Sequence, residues 1–322
     1  MASFESHRGR IYALLAGLLA GLALSFWPSL AAAQQQPAGF AVERFYQSAP
    51  GGGWFVMDDL DITGRLGGAI ALSSGYARNP LVITGPDGQK LAVVKEQAFL
   101  DIGAAVTHDR FRGYINFPMP LLVSGTSGTL GQYQFTAPSV SLGTNPDTIS
   151  DPRIGVDARL LGEPGSLLRL GAGAQLIIPS GSRADYVTDA RYRAMFRFLA
   201  AGDAGAFTYA GQLGVHVRTL NDAPVPGSPN GSEFLYGISG GRKFAGPSGW
   251  AVIAGPEIFG ETAFHSFFSG ETGTEALLTG RLEQTGTEGN LRIKLGVGHA
   301  LVQNFGAAQW RIVFGVELFG HK

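Results

Sequence analysis

Gly237-Ile238-Ser239-Gly240-Gly241 has the spacing of a nucleophile elbow, in which a serine set between glycines attacks an acyl carbonyl. That chemistry needs a sharp strand-to-helix turn around the serine. Here the flanking residues alternate like a strand and no helical pattern follows, so small residues at a bend or close backbone approach are the better account. Beyond residue 33 the histidines are His108, His216, His265, His299 and His321, and no pair has the spacing of a zinc helix motif. His299 alone falls on the apolar face of its segment, where a membrane-embedded lipid hydrolase would need it; an interfacial residue at a strand end is the competing reading. Asp58, Asp59 and Asp61 could offer oxygens to a cation, but they lack the loop pattern of a calcium site and read as a solvated linker. No catalytic residue, metal or cofactor is expected from these features.

A larger polar set recurs at every second position of apolar stretches. It comprises Arg112, Arg159, Arg169, Arg193, Arg197, Gln212, Arg218, Glu257, Arg281, Glu283, Arg311 and Glu317. Asp101, Asn116, Asp157, Gln175, His216, Glu233, Arg292 and Lys294 share the same parity. Near the C-terminus the period is plain: Trp310, Ile312, Phe314, Val316 and Leu318 fall on one face, Arg311, Gly315 and Glu317 on the other. In a soluble sandwich the apolar set would face a core. In a membrane barrel it faces lipid, and the polar set lines the lumen.

Composition favours the second arrangement. Only 15% of the 322 residues are charged, against roughly a quarter in soluble domains, and the 48 glycines are about twice the usual share. The net charge of −1 offers no basic patch for nucleic acid. Residues 1–33 have the layout of a secretory signal: Arg8 and Arg10, an apolar run from Ile11 to Trp27, and Ala31-Ala32-Ala33 before Gln34. Cleavage is expected after Ala33; an uncleaved anchor, with Gly17 and Gly21 as a helix contact, is the alternative. Cysteine is absent, which removes disulfides, thiolate metal sites and a lipoprotein anchor. No segment after the signal approaches the roughly 20 apolar residues of a spanning helix, so an exported chain of this kind crosses a membrane only as a closed barrel.

The elements that must carry these residues are twelve strands of a transmembrane antiparallel up-and-down barrel. The pattern predicts them near 66–84, 91–107, 110–122, 152–161, 167–178, 191–201, 206–219, 232–244, 250–261, 275–285, 291–302 and 309–319. Short turns rich in Gly, Pro and Asp, at 108–109, 162–166, 202–205, 245–249 and 286–290, alternate with longer loops at 123–151, 179–190, 220–231 and 262–274. Tight periplasmic turns and larger outside loops behave this way. Hairpins near Pro86-Asp87-Gly88 and Phe305-Gly306 would also face outward. Tyr76, Phe117, Tyr192, Phe207, Trp250, Phe267, Phe268 and Trp310 fall near strand ends, where interfacial girdles place aromatics. The chain thus divides into a signal at 1–33, a periplasmic lead-in at 34–64 and the barrel at 65–322.

Phe40-Ala-Val-Glu-Arg-Phe-Tyr, Gly53-Trp-Phe-Val-Met-Asp-Asp-Leu-Asp and Tyr76-Ala-Arg-Asn-Pro-Leu-Val-Ile resemble the start of the barrel in OmpA-family outer-membrane proteins of δ-type, myxobacterial bacteria. Blocks beginning at Asp109, Asp151 and Tyr209 continue the similarity across the mature chain. The resemblance implies an outer-membrane barrel inserted by the barrel-assembly machinery, and none of its blocks is a catalytic signature. Family members often add calcium-binding repeats and a peptidoglycan-binding domain; the sequence up to Lys322 holds neither, so cell-wall tethering is not implied. Insertion in this class commonly uses an aromatic-ended final strand, whereas Phe319 is followed by Gly320-His321-Lys322 and faces inward by parity.

The function expected is a non-enzymatic outer-membrane barrel, either a passive pore for small solutes or a structural platform in outer-membrane lipid. A membrane-embedded enzyme of lipid hydrolase or acyltransferase type is the alternative. Arg193 and Arg197, with Arg159 and Arg169 on the preceding hairpin, hint at a basic wall that would favour anions. The opposing reading is a lumen plugged by salt bridges, because buried charges are rarely left unpaired.

Overall fold

A computed structural model describes residues 35–322 except 63, 64, 86, 144–147, 223, 224, 286–289, 305 and 322. The signal-type segment and the core of the turn expected at 286–290 lie outside the described residues, as do Pro86 and Phe305 of two outward hairpins. Twelve long strands form the wall: β1 Gly67–Thr84, β2 Lys90–His108, β3 Phe111–Ser124, β4 Arg153–Leu161, β5 Arg169–Ile177 and β6 Arg193–Ala204. They continue as β7 Phe207–Val217, β8 Glu233–Ala245, β9 Trp250–Ala263, β10 Thr272–Thr285, β11 Asn290–Val302 and β12 Trp310–His321. Each pairs antiparallel with the next, and β1 pairs with β12 from Gly67↔His321 to Arg78↔Trp310, so the sheet closes on itself and leaves no edge. All twelve strands fall within a few residues of the expected positions.

Turn chemistry sets the connections. At one end β2–β3 and β6–β7 join through two residues each, the first in the left-handed region: Asp109 at φ 55° and Gly205 at φ 63°. At the other end the β3–β4 loop carries three short strands, Gly128–Leu130, Tyr133–Phe135 and Ser139–Ser141. Their Leu130, Tyr133, Phe135 and Val140 pack with Leu81, Ile83, Val93, Val94 and Val123 into an apolar cap over that mouth. Pro118 and Pro120 lack N–H groups, so β3 meets β4 only up to Asn116↔Arg153.

The outer face is apolar. Ile70, Val106, Phe196, Leu213, Ile238, Leu278, Leu295 and Leu318 all stand more than half exposed, as side chains meant for hydrocarbon do. Tyr76 and Trp310 lie tilted against each other near the long-loop end with ring centroids 5.1 Å apart, and Phe267 and Phe268 lie at the same end at 4.7 Å. Among the described residues no helix is long and apolar enough to cross a membrane. The protein is a closed, all-β barrel of the outer-membrane type.

The lead-in is where the structure departs from expectation. From Gln36 to Ile62 it does not wait on the periplasmic side; it runs through the barrel, contributing no strand to the wall. Phe40 and Val42 join the apolar cap at the long-loop end. Farther in, Phe45, Trp54, Phe55, Val56, Met57 and Leu60 pack on inward Phe99, Leu199, Ile253, Phe259, Leu277 and Val313. Burying these large side chains is worth roughly 1.5–3 kcal/mol each relative to exposure, which no solvated linker would gain.

Candidate functional site

Strand parity delivers the polar set to one place. Arg112, Arg159, Arg169, Arg193, Arg197, Arg218, Glu257, Arg281, Arg311 and Glu317 are all buried inside the barrel, while Gln212 and Glu283 are half-buried. These side chains do not line a free passage, because the lead-in segment lies among them.

The segment is fixed at both ends and in the middle. At the long-loop end, Ala41 N–H donates to Asp189 Oδ1 at 2.9 Å, and Val42 N–H to the Tyr186 carbonyl at 3.1 Å. Arg311 lies 3.0 Å from Glu43 and 2.9 Å from Glu275. Arg44 reaches Glu233 at 3.2 Å and Glu261 at 3.0 Å, and Arg193 donates to the Tyr46 hydroxyl at 3.0 Å. In the middle, the Glu257 carboxylate accepts main-chain N–H bonds from Phe55 (3.0 Å) and Val56 (2.9 Å), with Met57 at 3.4 Å, and a hydroxyl bond from Thr279 at 2.7 Å. Lys294 donates to the Trp54 carbonyl at 3.1 Å and to Glu317 at 2.7 Å. Toward the short-turn end, Arg112 pairs with Asp58 and, at 2.8 Å, with Asp157, while Arg281 lies 3.6 Å from Asp59. Arg159 Nε donates to the Ile62 carbonyl at 3.2 Å. Asp58 and Asp59 are therefore buried anchors, and the solvated linker expected for them is corrected.

The basic wall is corrected too. Arg193 meets Asp151 at 2.9 Å, and Arg197 meets Asp157 at 2.9 Å and the Tyr114 hydroxyl at 2.8 Å. Arg159 meets Glu163 at 3.0 Å and Arg169 meets Asp203 at 2.7 Å. Each arginine is neutralised locally, which a low-dielectric interior requires. Arg218 takes both Asp189, at 2.7 Å, and Glu233, at 2.8 Å. Glu283 lies between Arg281 at 3.2 Å and Arg292 at 2.6 Å, and Gln212 borders a recess shared with Arg44, Tyr46 and Val56.

Asp189 sits in the β6-proximal loop rather than in a strand, and its titration follows from these contacts. Burial alone would raise its pKa, but Arg218, Arg193 and Arg44 outweigh it and bring the carboxyl down to about 2.

The serine motif has a steric meaning. A Cβ placed on Gly237 would lie 2.2 Å from Met57 Cε, and one on Gly241 would lie 2.7 Å from Trp54 Cη2. The glycines give the lead-in room to approach the wall. Ser239 between them points inward at 3% exposure, whereas His299 stands on the outer face, so the two are not brought together. Among the described residues His216, Glu233 and Glu261 hold potential ligand atoms within 4.8 Å of one another. Arg44 pairs with both of these glutamates and Arg218 with Glu233.

Sequence reasoning missed the segment itself. Its signal was Trp54-Phe55-Val56-Met57, a run too apolar for a linker, facing inward glycines across the lumen.

No family model matches the chain, and no curated protein matches its sequence. An outer membrane channel from Pseudomonas putida F1 is similar in structure at 13% identity and a TM-score of 0.49, covering 80% of this chain and 96% of its own. The NanC porin shows 7% identity and a TM-score of 0.44, with 79% and 99% covered. A bacterial polysaccharide outer membrane secretin shows 10% identity and 0.41, with 81% and 100% covered.

Proposed function

We propose that the protein is a non-enzymatic outer-membrane barrel whose lumen passes small solutes only when its own segment 36–62 is displaced. What carries this reading is that the segment fills the lumen from the long-loop end to the short-turn end, yet belongs to no strand. Apart from the Val42 N–H bond to the Tyr186 carbonyl, which lies in a loop, its attachments use side chains, and all of them can be exchanged for water without opening the sheet. On this reading the polar lumen is a passage held shut, and the partners are outer-membrane lipid, the barrel-assembly machinery and small solutes. On this reading the relationship to OmpA-type proteins extends to the barrel alone.

Single-channel recording in planar bilayers tests it. The full chain is expected to be silent or to open rarely, whereas a variant lacking residues 36–59 conducts steadily. Glu257→Ala, which removes the acceptor of the Phe55 and Val56 N–H groups, gives frequent openings in a full-length chain. Heat-modifiable gel migration confirms that each variant is folded. Folded variants that stay silent across several salts sink the passage and leave a purely structural barrel, the reading that the closed lumen favours next.

A further inference from the structure

Between the lead-in and the side of the wall formed by β2 to β6 lies a cavity of about 50 Å³, several times the room that one water needs. Phe45, Phe99, Pro118, Ile177 and Val187 supply its apolar lining. Its charged neighbours are already paired: Arg153 with Asp101 at 2.9 Å, Arg193 with Asp151 at 2.9 Å and Glu43 with Arg311 at 3.0 Å. A charged guest would have to break one of these pairs, so the cavity suits a neutral molecule. One polar group is not spoken for. Gln97 borders the cavity at 5% exposure, and its Oε1 accepts no hydrogen bond from any described residue. A buried carbonyl oxygen in that state costs free energy that a donor from a guest would recover.

We infer that this cavity is a binding site for a neutral molecule of about three heavy atoms bearing one hydroxyl or similar donor, which the Gln97 Oε1 accepts while the short carbon end lies against Phe45, Phe99 and Ile177. The site does not depend on whether the lumen conducts, so its test reads binding and not current. Ethanol and dimethyl ether are isomers of matched size, small enough for the cavity, and only the first can donate. In lipid nanodiscs, with protein-free discs as the partition control, ligand-observed NMR is expected to show ethanol binding about tenfold more tightly than dimethyl ether, the worth of one hydrogen bond. Gln97→Met, close in size, removes that preference while both isomers still bind. Ala41→Phe, on the lead-in side of the cavity, blocks both. Gel migration verifies that the two variants remain folded. Equal binding of the isomers to the unaltered protein, no binding above the protein-free discs, or full binding to Ala41→Phe overturns the assignment.

Discussion

Leu277 and Leu278 are chain neighbours in β10 and live in different solvents. The first is 1% exposed and packs on Phe55 of the lead-in segment, the second is 68% exposed on the outer belt. The same contrast repeats around the barrel. Outward positions ask only for bulk and apolarity, since lipid tails conform to whatever is offered. Inward positions ask for specific partners, because the segment that fills the lumen is a single shape and each buried charge needs its counterpart. The wall is therefore permissive on one side and exacting on the other.

The sharpest way to break this contrast is to unpair an inward charge. Arg112→Ala would leave Asp58 and Asp157 buried without their shared guanidinium, and a loss of about 3–5 kcal/mol is expected in urea unfolding followed by gel migration. Next comes acid. With Asp189 held down to about 2 against about 3.9 in an unfolded chain, its contribution is complete above pH of about 4 and is lost as the pH falls toward about 2. That window is worth on the order of 2 kcal/mol. Asp189→Asn should remove this part of the acid dependence; an unchanged pH profile of stability would count against the pairing. The smallest effect compares the two leucines directly. Leu277→Ala and Leu278→Ala lose similar transfer free energy, but only the inner one leaves a cavity that lipid cannot fill. Its cost should be larger by about 1–2 kcal/mol. Equal losses would mean that the lumen repacks as freely as the bilayer.

The permissive side was the more legible in the sequence. A period of two with turn formers between runs places all twelve strands, and parity alone sends Arg112, Glu257 and Arg311 inward. What the sequence hid was the partner of those charges. Asp58 and Asp59 look like a solvated run because local spacing says nothing of an arginine more than fifty positions away. Gly237 and Gly241 match a catalytic pattern because a close backbone approach and a nucleophile elbow both call for glycine beside serine. The inward surplus of ionisable groups was itself a clue that something else occupied the interior.

The lead-in reaches β1 through only four residues, from Ile62 to Gly67, at the short-turn end. In the opening proposed above, a segment moored this way cannot be lost. Released from Glu257 and Arg311, it would swing on its mooring at the short-turn end, and at about 3.5 Å per residue the freed chain could trail on the order of 100 Å. Closure is then an intramolecular recapture, set by the length of the leash and indifferent to how much protein the membrane holds.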